Sequence, residues 1–308
     1  MAWAPQTPAA RAAMFARISA SRAPGTALSA ACGGADAHTL FSPPPVQGAL
    51  LGFLSTAAVL PLRAACREAR AAVAGHGWED MGTVIQGSIA AWRACFPRAH
   101  CANLCRKGGQ GRKAKVVDAD FVHLEGLREL NMAGCTAVTD AAFAHLRSIH
   151  TLDMSYCYQP TDAAFANLRG IHTLDMSECN QPAITDAAFA HLVGIQRLSI
   201  LGCDQATLTD AAFVHLRGIQ LLNMSECPQL TDAAFVHLRG IHTLLMQNCN
   251  QATLTGAAFA HLQGIRALGM YGCRDDQVAA ARGLGLPVNS RFCTSDGGLH
   301  YNFDERGW

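Results

Sequence analysis

Hydrophobic and polar positions follow a unit of 22 or 24 residues that recurs through the second half of the chain. A phenylalanine marks the same position of the unit seven times, at Phe121, Phe143, Phe165, Phe189, Phe213, Phe235 and Phe259. Self-similarity at this period predicts a solenoid of stacked units, because each unit can bury its apolar side only against its neighbours.

Each unit predicts one short strand followed by one short helix. In the unit that begins at Ile149, the apolar residues Leu152 and Met154 alternate with polar ones, as in a half-buried strand. Thr161 suits the N-cap of the helix that follows, and Asp162 places a negative charge at the positive end of the helix dipole. We therefore expect the invariant positions of the unit to serve packing and capping.

The repeated pattern resembles the cysteine-containing leucine-rich repeat, in which L-x-x-L-x-L-x-x-C is followed by I/L-T-D. The resemblance implies an α/β solenoid with the form of a horseshoe, with parallel strands on its concave side and short helices on its convex side. Seven repeats would occupy residues 121–284. Residues 285–308, which are rich in aromatic side chains, would form a C-terminal cap.

Composition narrows the classes of function. Half of the residues are hydrophobic and 15% are charged, which is ample for a packed core. The formal net charge of +1 gives no field that would attract nucleic acid or a membrane surface. The longest apolar run, residues 49–62, is too short to span a bilayer. We therefore expect neither nucleic acid nor a membrane as a partner.

Cysteine usage indicates the compartment. The chain contains 13 cysteines, and seven of them recur at one position of the repeat: Cys135, Cys157, Cys179, Cys203, Cys227, Cys249 and Cys273. Such a column predicts a ladder of buried thiols that pack as small hydrophobic groups. Neighbouring thiols could not all pair as disulfides without distorting the stack. We therefore expect a reducing compartment, which is the cytoplasm or the nucleus.

The chain begins with a segment of biased composition. Residues 1–38 are rich in alanine, serine, proline and arginine, and their first acidic residue is Asp36. We expect a disordered tail, because such a sequence cannot bury a core. An organelle transit peptide has a similar composition and is the alternative.

Residues 39–80 contain apolar segments typical of short helices. Three prolines, Pro43–Pro45, precede A-L-L-G-F-L, and V-L-P-L-R-A-A-C-R follows up to Arg67. This order resembles the F-box, and the resemblance implies docking to a Skp-type adaptor and, through it, to a cullin scaffold. The expected adaptor contacts are Pro45, Leu50, Leu51, Leu54, Leu60 and Leu62. The alternative is that the helices only cap the open end of the solenoid, which every repeat array needs.

Residues 81–120 are predicted to form a linker and a degenerate first repeat. They include a basic loop, residues 106–115, which holds every lysine of the chain. This loop would either contact phosphate or serve nuclear import, or be a solvated surface loop. Four potential zinc ligands lie nearby: Cys95, His100, Cys101 and Cys105. Their spacing is not that of common zinc sites, so we expect buried thiols and no metal.

The sequence gives no reason to predict catalysis or a cofactor. Histidines recur on the predicted helices, at His123, His145, His191, His215, His237 and His261. Because duplication of a unit also duplicates its surface residues, we interpret them as surface residues rather than as metal ligands. The sequence has neither a phosphate-binding glycine loop nor a nucleophile–base arrangement. A protein that is not an enzyme is therefore predicted.

Positions that differ between nearly identical repeats are the candidate binding residues. They flank the buried leucine and methionine of each strand and are predicted to point to the concave surface. The proposed substrate-binding residues are Glu129, Asp153, Asp175, Arg197, Leu201, Leu221, Leu245 and Tyr271. The first half of this surface is acidic and the second half is apolar, which is typical of a protein-binding site. An idle surface that has drifted is the alternative.

Two functions agree with these patterns, and both consist of binding other proteins. With an F-box, the protein would be the substrate-recognition subunit of an SCF-type (cullin) ubiquitin ligase, in which other subunits transfer ubiquitin. Without one, it would be a stand-alone leucine-rich-repeat scaffold. A third hypothesis, an organelle-targeted repeat protein, depends on residues 1–38.

Overall fold

The computed structural model describes residues 51, 55–65, 67–85, 87–105 and 116–289. The chain divides into two compact units, Met1–Asn103 and Leu104–Trp308. Several predictions lie outside the described residues: the tail, the basic loop, residues 290–308 of the cap, and Pro45, Leu50 and Leu54.

The first unit contains three helices and one strand among its described residues: α1 Thr56–Ala65, α2 Arg67–Gly75, α3 Ile89–Cys95 and β1 Cys101–Asn103. Asp80 fixes the start of α1, because its Oδ2 accepts the backbone N–H and the hydroxyl of Thr56 at 2.7 and 2.9 Å. Trp78 is buried and donates its indole N–H to the carbonyl of Val73 at 3.0 Å. Short helices are therefore present in this region, whereas the F-box assignment remains a prediction.

The second unit is built on a parallel sheet to which each repeat contributes one strand. Its described strands are β2 Glu129–Asn131, β3 Thr151–Asp153, β4 Thr173–Asp175, β5 Arg197–Ser199, β6 Leu221–Asn223, β7 Thr243–Leu245, β8 Ala267–Gly269 and β9 Val288–Asn289. Equivalent positions of neighbouring repeats pair, so that Leu130 lies opposite Leu152 and Leu152 lies opposite Leu174. The predicted alternation of parallel strands with short helices is confirmed.

Short helices connect the strands. The α-helices are α4 Asp140–Phe143, α5 Asp162–Phe165, α6 Asp186–Phe189, α7 Asp232–Phe235 and α8 Asp275–Gly283, and the 3-10 helices are Asp118–Leu124, Asp210–Leu216, Val236–Leu238 and Ala258–Leu262. Thr185 caps α6, because its Oγ1 accepts the N–H of Ala187 at 3.1 Å. After the helix, Gly194 has a φ of +88°, a left-handed conformation that glycine adopts without strain. Within the described ranges, no helix is long and apolar enough to cross a membrane.

Invariant side chains fill the space between the strands and the helices, and the cysteines link the repeats. The thiol of Cys203 donates to the carbonyl of Met176 in the preceding repeat at 3.1 Å, and equivalent bonds of 2.9–3.4 Å recur along the array. Six cysteines of the repeats are free thiols: Cys157, Cys179, Cys203, Cys227, Cys249 and Cys273. Burial raises the pKa of the Cys249 thiol to about 12. The predicted ladder of buried thiols is confirmed, with Cys273 at its end half-buried.

Aspartates at the helix starts also join neighbouring repeats. The carboxylate of Asp162 accepts the backbone N–H and the hydroxyl of Thr185 at 2.8 and 2.6 Å. We call the six pairs of this kind the Thr–Asp ladder: Asp118–Thr139, Asp140–Thr161, Asp162–Thr185, Asp186–Thr209, Asp210–Thr231 and Asp232–Thr255. The sequence predicted only an interaction of the aspartate with the helix dipole. The bonds to threonine were missed because each partner lies one whole repeat away.

The Thr–Asp ladder stops where the array stops. Gly256 takes the place of the aspartate in the last copy of the motif. A Cβ at Gly256 would lie 2.7 Å from the Cβ of Ala280 in α8, so α8 packs against this position. Because α8 has nine residues where the other α-helices of this unit have four, it ends the regular pattern of the repeats.

Candidate protein-binding face

The strand face consists of the side chains that flank the buried leucines of β2–β8, together with the second and third residues after each of these strands. Burial alternates along β2, β3 and β4: in β4, Leu174 is fully buried, whereas Thr173 and Asp175 are half-buried. In β5–β8, the third residue of the strand is buried as well. The strand face therefore points away from the core, as the alternation of the sequence predicts.

The eight predicted substrate-binding residues belong to the strand face but differ in exposure. Glu129, Asp153, Asp175, Arg197, Leu201 and Leu221 are half-buried, and Tyr271 is exposed. Leu245 is only 6% exposed, which contradicts the exposure expected of it. The reason lies on the next strand, where Gly269 has no side chain. Leu245 occupies that space, with its Cδ2 2.9 Å from the position that a Cβ of Gly269 would take.

Two aspartates lie side by side at the carboxyl ends of β3 and β4. Asp153 and Asp175 are paired in register, and each accepts the N–H and the hydroxyl of the serine two residues later. Burial, together with the charge of Asp153, raises the pKa of Asp175 to about 6, although the hydrogen bonds from Ser177 oppose this shift. A carboxylate is therefore held in an unfavourable environment on the strand face.

The third residue after each of the strands β2–β8 has a left-handed backbone conformation. Glycine occupies it at Gly134, Gly202 and Gly272, and larger residues occupy it at Tyr156, Glu178, Glu226 and Asn248, with φ between 56° and 59°. The conformation brings the N–H of Glu178 to the carbonyl of Leu201 in the next repeat at 2.7 Å. Side chains other than glycine cost about 1 kcal/mol or more in this conformation. The hydrophobic pattern of the sequence did not indicate these residues, although a column that contains glycine, glutamate and tyrosine was a signal for them.

These left-handed positions add glutamates to the aspartates at the strand ends. We define the acidic edge as Asp153, Asp175, Glu178, Asp204 and Glu226. The side chain of Glu178 lies over Gly202, with its Oε1 2.6 Å from the position of an added Cβ. Burial raises the pKa of Glu178, and the charges of Glu226 and Asp204 raise it further. The carboxylates of the acidic edge therefore repel one another across neighbouring repeats.

The acidic edge has no basic counterpart in the part of the chain that the structure describes. Ion pairs between described residues join His145 to Glu125 and Arg274 to Asp276, and neither involves the acidic edge. Glu226 instead accepts a hydrogen bond from the uncharged amide of Asn248 at 3.0 Å. Since the whole chain carries a net charge of +1, the acidic edge is a local concentration of negative charge.

Exposed tyrosines accompany the acidic edge. Tyr156 is 50% exposed and Tyr158 is 42% exposed. Burial and the negative charge of Glu178 raise the pKa of both phenols. Aromatic side chains are enriched at protein interfaces. Tyr156 and Tyr158 were absent from the predicted site because one follows the strand in a left-handed turn and the other follows the cysteine.

The amino ends of the strands carry the opposite chemistry. The residues that directly precede the strands include Arg128, His150, His172, His242 and Arg266. The rings of His150 and His172 stack with their centroids 5.2 Å apart. The strand face is thus basic or neutral at one edge and acidic at the other.

The other candidate residues do not form a site in the described ranges. Groups of three or more histidine, cysteine, aspartate or glutamate side chains that could hold a metal are absent there, and Cys95, His100, Cys101 and Cys105 belong to these ranges. On the helix side, the Nδ1 of His145 lies 2.6 Å from Glu125 Oε1, so this histidine serves a surface contact.

Two of the predicted adaptor contacts have described side chains. Leu51 is 2% exposed, and Leu60 in α1 is 47% exposed. The side chain of Leu62 lies outside the description, like Pro45, Leu50 and Leu54. Leu60 is therefore the described member of this set that offers an apolar surface.

Comparison with known proteins identifies the architecture. No family model and no curated protein matches the sequence. A chain of the Toll–Spatzle complex, described as a molecular hub in Drosophila development and innate immunity, is similar with a TM-score of 0.50 and 13% identity, over 70% of this chain and 30% of that chain. The fold is a leucine-rich-repeat solenoid.

Two other solved structures are less similar to this chain. A chain of the TLR13–ssRNA13 complex has a TM-score of 0.48 and 17% identity, over 59% of this chain and 27% of that chain. A chain of the yeast Rad7–Elc1 complex has a TM-score of 0.39 and 18% identity, over 57% of this chain and 44% of that chain. The chain spans less than half the length of each structure named, and such similarity shows the fold alone.

Proposed function

We propose that this protein holds a protein substrate on its strand face as the substrate-recognition subunit of an SCF-type ubiquitin ligase. The observation that carries the binding role is the acidic edge, which has no basic partner among the described residues and stands beside the exposed Tyr156 and Tyr158. Uncompensated charge next to exposed aromatic rings is typical of a surface that a partner completes. The protein would have no catalytic residues, because other subunits of the ligase transfer ubiquitin.

The ligase role is supported by the F-box-like sequence that precedes the repeats. In this proposal, Pro45, Leu50, Leu51, Leu54, Leu60 and Leu62 contact a Skp-type adaptor, which recruits a cullin scaffold. Leu60 already exposes an apolar side chain on α1. The six free thiols from Cys157 to Cys273 are typical of a reducing compartment, so we propose that the protein resides in the cytoplasm or the nucleus.

Co-purification of the full chain with a Skp-type adaptor tests the ligase role. We expect the wild-type chain to bind the adaptor and Leu60→Asp to lose it, because a charge would be buried in an apolar contact. Val193→Asp, at a position that is 64% exposed in the repeats, is the control and should retain the adaptor. A wild-type chain that is folded but does not bind the adaptor would rule out the ligase role.

A stand-alone scaffold is the second candidate, and one observation favours it. In the first unit, Leu51, Val59 and Val73 are all buried, so a part of the apolar surface of its helices packs within the chain. If these helices are only a cap, deletion of residues 40–78 should lower the thermal stability of the repeats and cause aggregation. If they form an F-box, the same deletion should remove the adaptor and leave the repeats folded.

A further inference from the structure

The length of the acidic edge indicates the kind of ligand that could cover it. Its five carboxylates come from four consecutive repeats, whose strands are β3, β4, β5 and β6. Neighbouring strands are about 4.8 Å apart, so the edge extends over roughly 14 Å. A single ion or a small amine would reach only a part of it. An extended peptide rises about 3.3 Å per residue, so four or five residues would span it.

The charge of the acidic edge selects a cationic partner. Asp175 is opposed by Asp153, and Glu178 by Glu226 and Asp204, while no described basic side chain offsets any of them. Arginine or lysine side chains of a partner would relieve this repulsion, and the exposed rings of Tyr156 and Tyr158 offer cation–π contacts beside the carboxylates. A nucleic acid would be repelled.

The buried side-chain amide of Gln247, on the strand face, independently requires a hydrogen-bond acceptor from outside the described residues. Gln247 is only 3% exposed, and its Nε2 has no hydrogen-bond partner among the described residues. Its backbone is satisfied, since its N–H donates to Ser225 Oγ at 2.9 Å and its carbonyl accepts the N–H of Glu226 at 2.9 Å. A buried donor without an acceptor is unfavourable. The carbonyl of a peptide could accept this hydrogen bond, whereas a metal ion or an amine could not.

We propose that the acidic edge binds an extended segment of a partner protein that carries arginine or lysine. Its cationic side chains face Asp175, Glu178 and Glu226, and one of its backbone carbonyls accepts a hydrogen bond from Gln247 Nε2. This inference rests on the proposed function and specifies the class of substrate that the strand face takes.

Fluorescence anisotropy with the full chain tests the charge requirement. The probe is a capped, labelled peptide of alternating arginine and alanine, and its control replaces each arginine by the neutral isostere citrulline. We expect the arginine peptide to bind at least about tenfold more tightly than the citrulline peptide, with an affinity that falls as salt is added. Equal binding of the two peptides would overturn the proposal.

Charge-matched variants locate the binding site. Glu178→Gln/Glu226→Gln removes two carboxylates of the acidic edge and should weaken binding of the arginine peptide roughly tenfold. Glu79→Gln/Asp275→Asn changes the net charge equally at exposed positions outside the edge and should change binding by less than about twofold. An equal loss in both variants would mean that the peptide responds only to net charge, and would overturn the proposal.

Gln247→Leu tests the peptide backbone contact separately. The substitution should lower the affinity for the arginine peptide about threefold or more, because the amide donor is lost. Unchanged affinity in a variant whose thermal stability is retained would remove Gln247 from the proposed contact and leave no argument for a peptide over a simple cation.

Photo-crosslinking separates this inference from the proposed function. A photoreactive amino acid replaces Tyr156 at the acidic edge or Tyr271 at the far end of the strand face, in the full chain within cells, and the crosslinked segments are sequenced. Arginine- or lysine-bearing segments at position 156 support the proposal. Protein segments without basic residues leave the proposed function intact and overturn the inference. Crosslinks only to nucleic acid, or to no protein at either position, contradict both.

Discussion

The Thr–Asp ladder and the acidic edge both contain aspartates, but in different surroundings: hydrogen-bond donors of the next repeat face those of the ladder, and other carboxylates face those of the edge. In the ladder, Asp162 accepts two hydrogen bonds from Thr185 of the next repeat. On the acidic edge, the carboxylate of Asp175 accepts hydrogen bonds only from Ser177 of its own repeat and faces the charge of Asp153. The helix side of the repeat therefore uses aspartate to join the stack, whereas the strand side holds aspartate at a cost in stability. Stability and recognition occupy separate columns, so they can be altered separately.

The largest expected change in stability comes from the core, which lies between the strands and the helices. Phe189 is fully buried, and Phe189→Ala should lower the free energy of unfolding by about 3–5 kcal/mol, because it leaves a cavity between repeats. Val193→Ala, at an exposed position just after the same helix, should change it by less than about 0.5 kcal/mol. Urea unfolding followed by circular dichroism measures both. Similar decreases in the free energy of unfolding of the two variants would contradict the role of Phe189 in the core.

The next largest effect concerns Asp175 of the acidic edge, whose replacement should raise the free energy of unfolding rather than lower it. The pKa of Asp175 is about 6 in the folded chain, above its ordinary value of 3.8, so the folded chain binds more protons than the unfolded chain between these pH values. The contribution of this group to stability is complete below pH 3.8 and is lost as the pH rises through about 6. By linkage, a shift of this size corresponds to about 2–3 kcal/mol.

Asp175→Asn should therefore stabilise the protein at neutral pH by up to about 2–3 kcal/mol and flatten its stability between pH 4 and 7. The substitution keeps the turn, since Asn223 occupies the same column and its Oδ1 accepts the N–H of Ser225 at 3.1 Å. Thermal unfolding across this pH range measures the effect. A variant that is less stable than the wild type at neutral pH would show that the carboxylate is not unfavourable there.

A smaller loss is expected when the Thr–Asp ladder is broken. Asp162→Ala leaves the N–H and the hydroxyl of Thr185 without their acceptor and should cost about 1–2 kcal/mol. The same substitution on the acidic edge, Asp204→Ala, removes an exposed carboxylate and should change stability by less than about 0.5 kcal/mol. Chemical unfolding of the two variants compares the regions directly. Equal effects would mean that the two aspartates do not differ in role.

The smallest expected effect concerns the left-handed turns. Glu226 has a φ of +59°, so Glu226→Gly should relieve strain and raise the free energy of unfolding by no more than about 1 kcal/mol, because glycine also gains entropy in the unfolded chain. Ala187→Gly in the right-handed α6 should instead lower it by about 0.5–1 kcal/mol. Thermal denaturation of both variants tests whether Glu226→Gly stabilises the protein and Ala187→Gly destabilises it.

Much of the repeat could be predicted, but the acidic edge could not be predicted in full. Strands, helices and the cysteine column follow from local periodicity and capping, which act over a few residues. Asp153 and Asp175 were identified by their place beside a buried leucine. Glu178 and Tyr156 were missed, because their place on the strand face depends on a left-handed turn that sequence periodicity does not encode. Leu245 was wrongly expected to be exposed, because its burial depends on the absence of a side chain at Gly269 on the next strand.

The sequence alone determined that the chain stacks repeats with one strand and one short helix each, because each unit can bury its regularly spaced apolar face only against its neighbours. The tertiary structure decided what each aspartate does. The 22- or 24-residue step brings Asp162 to Thr185 on the helix side, and brings Asp153 beside Asp175 on the strand side. Hydrogen bonding and repulsion depend on distances of a few ångströms, and only the stacking of one repeat on the next sets those distances.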